Sequence, residues 1–271
     1  MTVDPAIAGK RLLLVGCGHM GGAMLTGWLR GGLAPDRFTV LDPASPDLPH
    51  GVRYLQAPPE GETFDVVLLA IKPQGLPEAA PTLEPLIGPE TTLLSILAGI
   101  SLEKLAAAFP RADAIVRVMP NLAAALGKSP IALATTPVDD PARKAIDALM
   151  QPLGQVEWLG DEALMDAVTA LAGSGPAFFY RFIDAMAHGG AMLGLEREQA
   201  ERMALATARG AVALAAQGSA SPADLARKVT SKGGTTEAGL AALDGDDRLQ
   251  KLVFRTLQAA AQRAEVLRGE S

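Results

Sequence analysis

Leu12-Leu13-Leu14-Val15-Gly16-Cys17-Gly18-His19-Met20-Gly21 is the stretch whose reading decides the fold. Four consecutive apolar residues suit a strand covered on both faces of a parallel sheet. Glycines at positions 16, 18 and 21 follow at once, and a helix is expected over Met20 to Arg30. In that context each glycine has its own task. Gly16 permits a tight turn, Gly18 lets a pyrophosphate approach the backbone, and Gly21 lets helix and strand pack closely. Gly22 and Ala23 keep that contact small. The stretch reads as a dinucleotide-binding loop with His19 and Met20 beside the cofactor; a glycine turn that binds nothing is the plainer alternative. Cys17 reads as a small filler and His19 as a cofactor contact, rather than as catalytic groups.

The same strand-and-helix texture continues to about residue 160. Strands are expected at Arg11–Gly16, Phe38–Asp42, Asp65–Ile71, Thr92–Leu97, Ala114–Met119, Ile131–Thr135 and Val156–Leu159. Several are unbroken apolar runs with helical segments between them, the rhythm of an α/β, Rossmann-type doubly wound parallel sheet. Prolines 77, 81 and 85 argue against a long helix after Ile71, and Asp140-Pro141 reads as a helix cap followed by proline. Asp42 falls at the end of the second strand, where an acidic residue commonly holds the ribose 2′-hydroxyl. Its carboxylate would repel a 2′-phosphate, and no Lys or Arg stands between Asp42 and Gly51. The local chemistry therefore leans toward NADH over NADPH. Asp-Pro as a simple turn start is the other reading.

After Gly160 the strand signal stops. Helices are expected from Asp161 to Ala170, Pro176 to about His188, Glu196 to Ala216 and Asp247 to Leu267, with Ser221-Pro222-Ala223-Asp224 a further helix start. Several of these are apolar on more than one face and rich in small residues. Such helices bury themselves better against a second copy than alone. The expectation is a dinucleotide-binding domain over residues 1–160 and an all-helical domain over 161–271 that dimerises. A monomeric helical bundle is the alternative.

A second glycine motif lies in that half: Val229-Thr230-Ser231-Lys232-Gly233-Gly234-Thr235-Thr236, ahead of an apolar helical run. Paired glycines bring the backbone close to a ligand, and the N–H groups opening a helix favour an anion. This suits a small carboxylate.

Composition narrows the field. The 271 residues carry 24 basic and 30 acidic side chains for a net charge of −6, with 49% hydrophobic and 20% charged residues. No basic stripe interleaved with aromatics supports nucleic-acid binding. Cys17 is the sole cysteine, and His19, His50 and His188 lack ligand spacing, so no metal is expected. Leu12–Val15 is too short for a signal-peptide core, and no run approaches the roughly 20 apolar residues that cross a bilayer. A cytoplasmic enzyme without membrane contact is the expectation.

Together these motifs resemble the pyrroline-5-carboxylate reductase family across nearly the whole chain. The most specific part is Ser221 to Asp244. Ala70-Ile71-Lys72-Pro73-Gln74, Arg117-Val118-Met119-Pro120-Asn121 and Leu171-Ala172-Gly173-Ser174-Gly175-Pro176-Ala177 resemble its other recurrent segments, in the right order. The resemblance implies hydride transfer from NADPH or NADH to the C=N carbon of 1-pyrroline-5-carboxylate, giving L-proline. It also implies a homodimer that assembles further, for instance into a decamer. It places Ala70, Ile71, Lys72, Ala98 and Gly99 beside the cofactor, and Met119, Pro120 and Asn121 near the nicotinamide. The substrate carboxylate would lie on the backbone around Gly233, Gly234, Thr235 and Thr236, with Val229 and Ser231 lining the pocket. The Thr236 hydroxyl, as the catalytic group, would face the ring nitrogen. Glu162, Thr169, Gly173 and Ser174 would close the site.

The chain departs from the family pattern in three places. Leu122-Ala123 stands where the family usually has Thr-Pro, and Lys232 where it usually has proline before the paired glycines. Asp42 stands where many members accommodate a 2′-phosphate. Hydroxyacid dehydrogenases of similar build carry a lysine after a GxG at a helix start, but Gly173-Ser174-Gly175 leads into Pro176-Ala177-Phe178-Phe179-Tyr180 with none. A non-catalytic dinucleotide sensor would keep the first glycine motif and have no need of the second.

Overall fold

A computed structural model describes residues 4–270. The strands are β1 (Leu12–Val15), β2 (Phe38–Leu41), β3 (Arg53–Leu55), β4 (Phe64–Leu69), β5 (Ile87–Ser95), β6 (Ala114–Met119), β7 (Ser129–Thr135) and β8 (Gly154–Trp158). They form one sheet in the order β3-β2-β1-β4-β5-β6-β7-β8. All neighbours are parallel except β6 and β7. The order reverses at β1, between β2 and β4, which opens the crevice where doubly wound sheets bind ligands. Seven of the eight strands match the expected ones. The exception is β3, three residues long with two of them exposed. Its short run, Arg-Tyr-Leu, carries no apolar stretch to mark it.

The apolar runs are continuous because each strand feeds two cores. Leu12, Leu14, Val66 and Leu68 face Met24, Leu25 and Trp28 of α1 (His19–Arg30) and Ile146, Leu149 and Met150 of α4 (Asp140–Met150). Leu13, Val15, Val67 and Leu69 face Leu76, Ala80 and Leu83 of α2 (Leu76–Leu83) and Leu105 of α3 (Leu102–Ala108). Each such side chain, fully buried, contributes roughly 1.5–3 kcal/mol. Trp28 is fully buried, stacks on Phe38 with ring centroids 5.7 Å apart, and donates its indole N–H to Leu149 O at 2.7 Å. That one side chain fixes α1 against both β2 and α4. Helix α2 is indeed short, with Pro77 in its first turn and Pro81 inside it. The cap of α4 is Asp139, whose carboxylate accepts from Ala142 N at 2.8 Å, so the expected cap at Asp140 lies one residue late.

The chain divides into two compact units: the part up to Gly173 together with the segment from Ala260 onward, and Ser174–Ala259 between them. The second unit holds α6 (Gly175–Met192), α7 (Arg197–Gln217), α8 (Pro222–Lys228) and α9 (Thr235–Asp244), and the start of α10 (Arg248–Glu270). Ser221 and Asp224 form the expected reciprocal cap of α8. Small side chains join α6 to α7, where Ala187, Ala200 and Ala204 are buried against Ile183. By contrast Phe179, Tyr180, Leu193, Leu205, Leu214 and Phe254 are exposed, Leu193 at 91%. Large apolar side chains exposed together mark a surface for association. Among the described residues no helix is long and apolar enough to cross a membrane, and no cluster of His, Cys, Asp and Glu could hold a metal ion.

Within the first unit a turn over Glu162–Leu164 leads into α5 (Met165–Val168) and one π-helical turn, Thr169–Gly173. Glu162 ties this segment to the sheet. Its carboxylate accepts from the Arg117 guanidinium of β6 at 2.7 Å and from Leu102 N at the start of α3 at 2.8 Å. The Arg117 side chain is only 7% exposed, so its charge relies on the Glu162 carboxylate for compensation. Glu162→Ala should therefore destabilise the fold by about 3 kcal/mol, since a buried guanidinium is left unpaired. Urea unfolding measures it, and a loss below about 0.5 kcal/mol, ordinary for a surface change, would contradict the role.

Candidate active site

At the crevice the three glycines of the first motif meet different surroundings. Gly16 has φ +90°, and a side chain there would start 2.8 Å from Ala70 O and 3.2 Å from Ile71 Cγ2. Gly21 would place one 2.6 Å from Gly16 O and 3.3 Å from Ala70 Cβ. Both positions are closed by backbone. Gly18 is exposed at the N-cap of α1 and faces open space, with no atom within 4 Å of where a side chain would begin. The N–H groups opening α1 lack intrahelical acceptors, and no side chain caps them. Such a turn suits a pyrophosphate: two glycines pack it against β1 and β4, and the third leaves the approach free. A dinucleotide fits the residues present.

Asp42 lies where the sequence places it, just past β2. Its carboxylate accepts from Cys17 N at 2.7 Å and from Ala44 N at 2.8 Å, and its carbonyl accepts from the Tyr54 hydroxyl. So β3, the strand missed in the sequence, helps hold the acidic residue. Each carboxylate oxygen keeps further acceptor capacity for a ribose hydroxyl. Burial, and secondarily the Asp42 carboxylate, push the Cys17 thiol up from its ordinary range, which leaves it a neutral filler. A cavity of about 460 Å³ opens beside the loop, lined by Gly18, His19, Thr26, Asp47, Leu48 and Pro49 among others. Asp47 to Pro49 carry no motif, so only the fold reveals them. A cavity of about 530 Å³ lies elsewhere, bounded by Arg11, Glu62, Asp65 and Glu90. It sits at the N-terminal ends of β1 and β4 and the first half of β5, away from the crevice, and its carboxylates would repel a dinucleotide's phosphates.

The remaining predicted cofactor residues divide. Ala70 and Ile71 form the floor under Gly16, and exposed Lys72 opens the turn Pro73–Gly75. Ala98 is exposed after β5, but Gly99 is buried with φ +77°. A side chain on Gly99 would start 3.0 Å from Leu267 O and 3.1 Å from the Arg268 backbone, so its missing side chain makes room for the last turns of α10. Arg268 adds an ion pair to Asp166 of α5 at 3.0 Å. Met119 ends β6, and Asn121 is buried with every polar group engaged. Asn121 N donates to Ser129 Oγ at 2.9 Å, Oδ1 accepts from Ala123 N at 3.0 Å, and Nδ2 donates to Ala172 O at 2.9 Å.

On the substrate side, Thr169 Oγ1 donates to Met165 O at 2.8 Å, and Gly173 closes the π turn. Ser174 is the N-cap of α6 and makes no side-chain cap bond. The 229–236 stretch forms the expected loop and helix start in the second unit. Gly233 has φ +74° and donates its N–H to the Glu237 carboxylate at 2.7 Å. Gly234 caps α9, donates to Ser231 O at 3.0 Å, and would bring a side chain within 2.5 Å of Ser231 Oγ. The two paired N–H groups are therefore engaged, which leaves those of Thr235 and Thr236 in the first turn of α9 for an anion. Val229, Ser231, Lys232 and Thr235 are exposed, and Thr236 is half-buried. Glu237 is a participant that the motif reading missed, although acid three residues past a helix cap is a known signal.

The glycine loop makes a differential expectation. Gly18→Ala should fold normally and lose nicotinamide dinucleotide affinity, whereas Gly16→Ala should unfold at lower temperature because it combines a left-handed φ with a backbone clash. Thermal melts and fluorescence titration with NADH read the two effects. Equal melting losses in both variants would contradict this division of tasks.

Comparison with known proteins agrees with this geometry. The family model for pyrroline-5-carboxylate reductase dimerisation matches residues 162–267, and that for ketopantoate reductase PanE/ApbA matches residues 38–136, within the sheet. The pyrroline-5-carboxylate reductase of Pseudomonas aeruginosa is 34% identical over 264 residues, covering 95% of this chain and 96% of its own. The solved structure of a pyrroline-5-carboxylate reductase from Coxiella burnetii superposes with a TM-score of 0.86 at 28% identity, covering 95% of this chain and 98% of that one. The Plasmodium falciparum pyrroline carboxylate reductase, solved with NADP bound, shares the fold at a TM-score of 0.82 and 24% identity over 96% of this chain and 98% of that one. With a relative this similar over nearly its full length, the chain belongs to the pyrroline-5-carboxylate reductase family.

Proposed function

We propose that the chain reduces 1-pyrroline-5-carboxylate to L-proline, the last step of proline biosynthesis, with NADH or NADPH as the electron source. The observation that carries this reading is that a chain 34% identical to a reductase of that name holds both an open glycine at the start of one helix, at Gly18, and an uncapped helix start at Thr235–Thr236. The reduced nicotinamide supplies hydride. Every other task falls to this chain's own residues.

The chemistry asks little of acid–base groups. Hydride adds to the imine carbon, the π pair of C=N moves to nitrogen, and a proton from the iminium form or from water completes the amine. A protonated imine carbon is already electrophilic, so orientation carries most of the rate. Well-oriented reactants gain roughly 7–11 kcal/mol over the bimolecular case. Thr235 and Thr236 N–H groups would hold the carboxylate, with Val229 and Ser231 along the pocket. The Thr236 hydroxyl would accept from an iminium N–H or donate to an imine nitrogen. Thr169 and Ser174 would complete the substrate side, while Gly16, Gly18, His19, Met20, Gly21 and Asp42 would hold the cofactor. The absence of a lysine from residues 176–180, the turn that opens the helix, supports imine over alcohol chemistry.

Two finer readings follow. Asp42, its carboxylate fixed by Cys17 and Ala44, and Asp47 at the cavity both oppose a 2′-phosphate, which favours NADH. Arg53, on the edge strand β3, is paired with Glu62 at 2.7 Å. The exposed apolar helices of the second unit favour a homodimer built on a helical domain from about residue 161, with assembly onward to an oligomer such as a decamer, in the cytoplasm.

Purified protein should oxidise NADH in the presence of 1-pyrroline-5-carboxylate, and Asp42→Ser should lower the ratio of kcat/KM for NADH over NADPH at least about tenfold, one step of about 1.4 kcal/mol in charge discrimination. No turnover with either cofactor would overturn the function. An unchanged ratio would overturn only the reading of Asp42.

A further inference from the structure

The residues flanking Pro120 grip a different part of the molecule from the one their motif suggests. Asn121 spends its side chain on protein. Its oxygen caps the turn Leu122–Leu126 through Ala123 N, and its amide reaches across 51 residues to Ala172 O at 2.9 Å. Ala172 lies in the π-helical turn Thr169–Gly173. The second residue of the pair, Met119, sets its Cε where a side chain on Gly173 would begin, so the glycine gives the methionine room to pack on the turn. The turn capped by Asn121 is itself locked in place, because Ala124 O abuts the Cα of Gly27 in α1. One rigid path therefore runs from α1 through the capped turn to the π turn.

A π turn inside a helix is held only where its surroundings over-determine it, because the wider ring wastes hydrogen-bond geometry. Here the carbonyl of Ala172 takes a side-chain donor from Asn121, buried at 7% exposure. Removing that donor would leave the carbonyl without its side-chain partner and release the turn to relax toward the ordinary helical ladder. Relaxation of a π turn by one residue shifts everything beside it, including Thr169 and Gly173.

We propose that Asn121 is a positioning residue that touches neither ligand: it clasps the Thr169–Gly173 turn so that the substrate side is held in register with the end of β6. The proposal rests on the reduction of 1-pyrroline-5-carboxylate proposed above. It explains why both polar ends of Asn121 are engaged by protein partners. It also assigns the Met-Pro-Asn segment a task in substrate placement.

The test separates the clasp from the cap. Asn121→Ser and Asn121→Asp both keep an acceptor for Ala123 N, a residue type that caps helices well, and both lose the amide donor to Ala172 O. Serine does so without burying a charge, so it serves if the aspartate variant folds poorly. Hydrogen exchange should show the amides of residues 169–173 opening faster in each folded variant, with the rest of the first unit unchanged. KM for 1-pyrroline-5-carboxylate should rise about tenfold, as one buried hydrogen bond allows, while the NADH dissociation constant stays within about twofold. A residue important only for folding would lower the melting temperature without moving KM in fully folded enzyme. Unchanged exchange at 169–173, or a loss of NADH affinity matching the rise in KM, would overturn the clasp. Wild-type protein inactive on the imine would sink the function instead, and the exchange result would still decide the clasp.

Discussion

The contact on which the rest depends is the closure of Gly16 and Gly21 over Ala70. With β1 and β4 paired from Leu12 opposite Val66 to Val15 opposite Leu69, the chain leaves β1 directly above Ala70. No side chain can stand at Gly16 or Gly21 without meeting backbone. That closeness aims the start of α1 across the end of the sheet and leaves Gly18 open on the far side. The helix dipole, the free N–H groups and the open space then coincide at one point, which is what a pyrophosphate needs. Asp42 extends the same device. By binding Cys17 N it joins the ends of β1 and β2 and fixes a carboxylate beside the glycine loop.

The catalytic logic follows from what the site lacks. The sole cysteine is held neutral by burial beside a carboxylate, and no lysine stands among residues 176–180. An imine does not need them. What it needs is a fixed distance between a hydride donor and a carbon, and the fold is arranged around fixing positions. Buried Arg117 with Glu162 holds the segment before the π turn, and Met119 with Asn121 holds the turn itself.

Much of this was legible in the sequence, for identifiable reasons. A strand buried on both faces has no polar alternation to blur it, so Leu12–Val15 and Val66–Leu69 stand out as apolar runs. Glycine motifs advertise themselves because no other residue tolerates φ +90° beside a carbonyl. Edge strand β3 was illegible because it buries almost nothing. The cap of α4 slipped from Asp140 to Asp139 because two adjacent aspartates offer the same chemistry and only backbone geometry chooses between them. Long-range polar partners left no local trace at all. Nothing near Asn121 announces Ala172, nothing near Gly99 announces Leu267, and Glu237 reads as an ordinary first-turn acid until it binds Gly233 N.

The central claim is direct hydride delivery from a nicotinamide held on the Gly16–Gly21 loop to the carbon of a bound cyclic imine. Turnover with NADH deuterated on one or the other face of its reducing carbon, followed by mass and magnetic-resonance analysis of the product, measures it directly. The account predicts proline carrying one deuterium at the former imine carbon from one of the two labelled cofactors and none from the other. Proline without deuterium from either, or label scrambled through solvent, would contradict it.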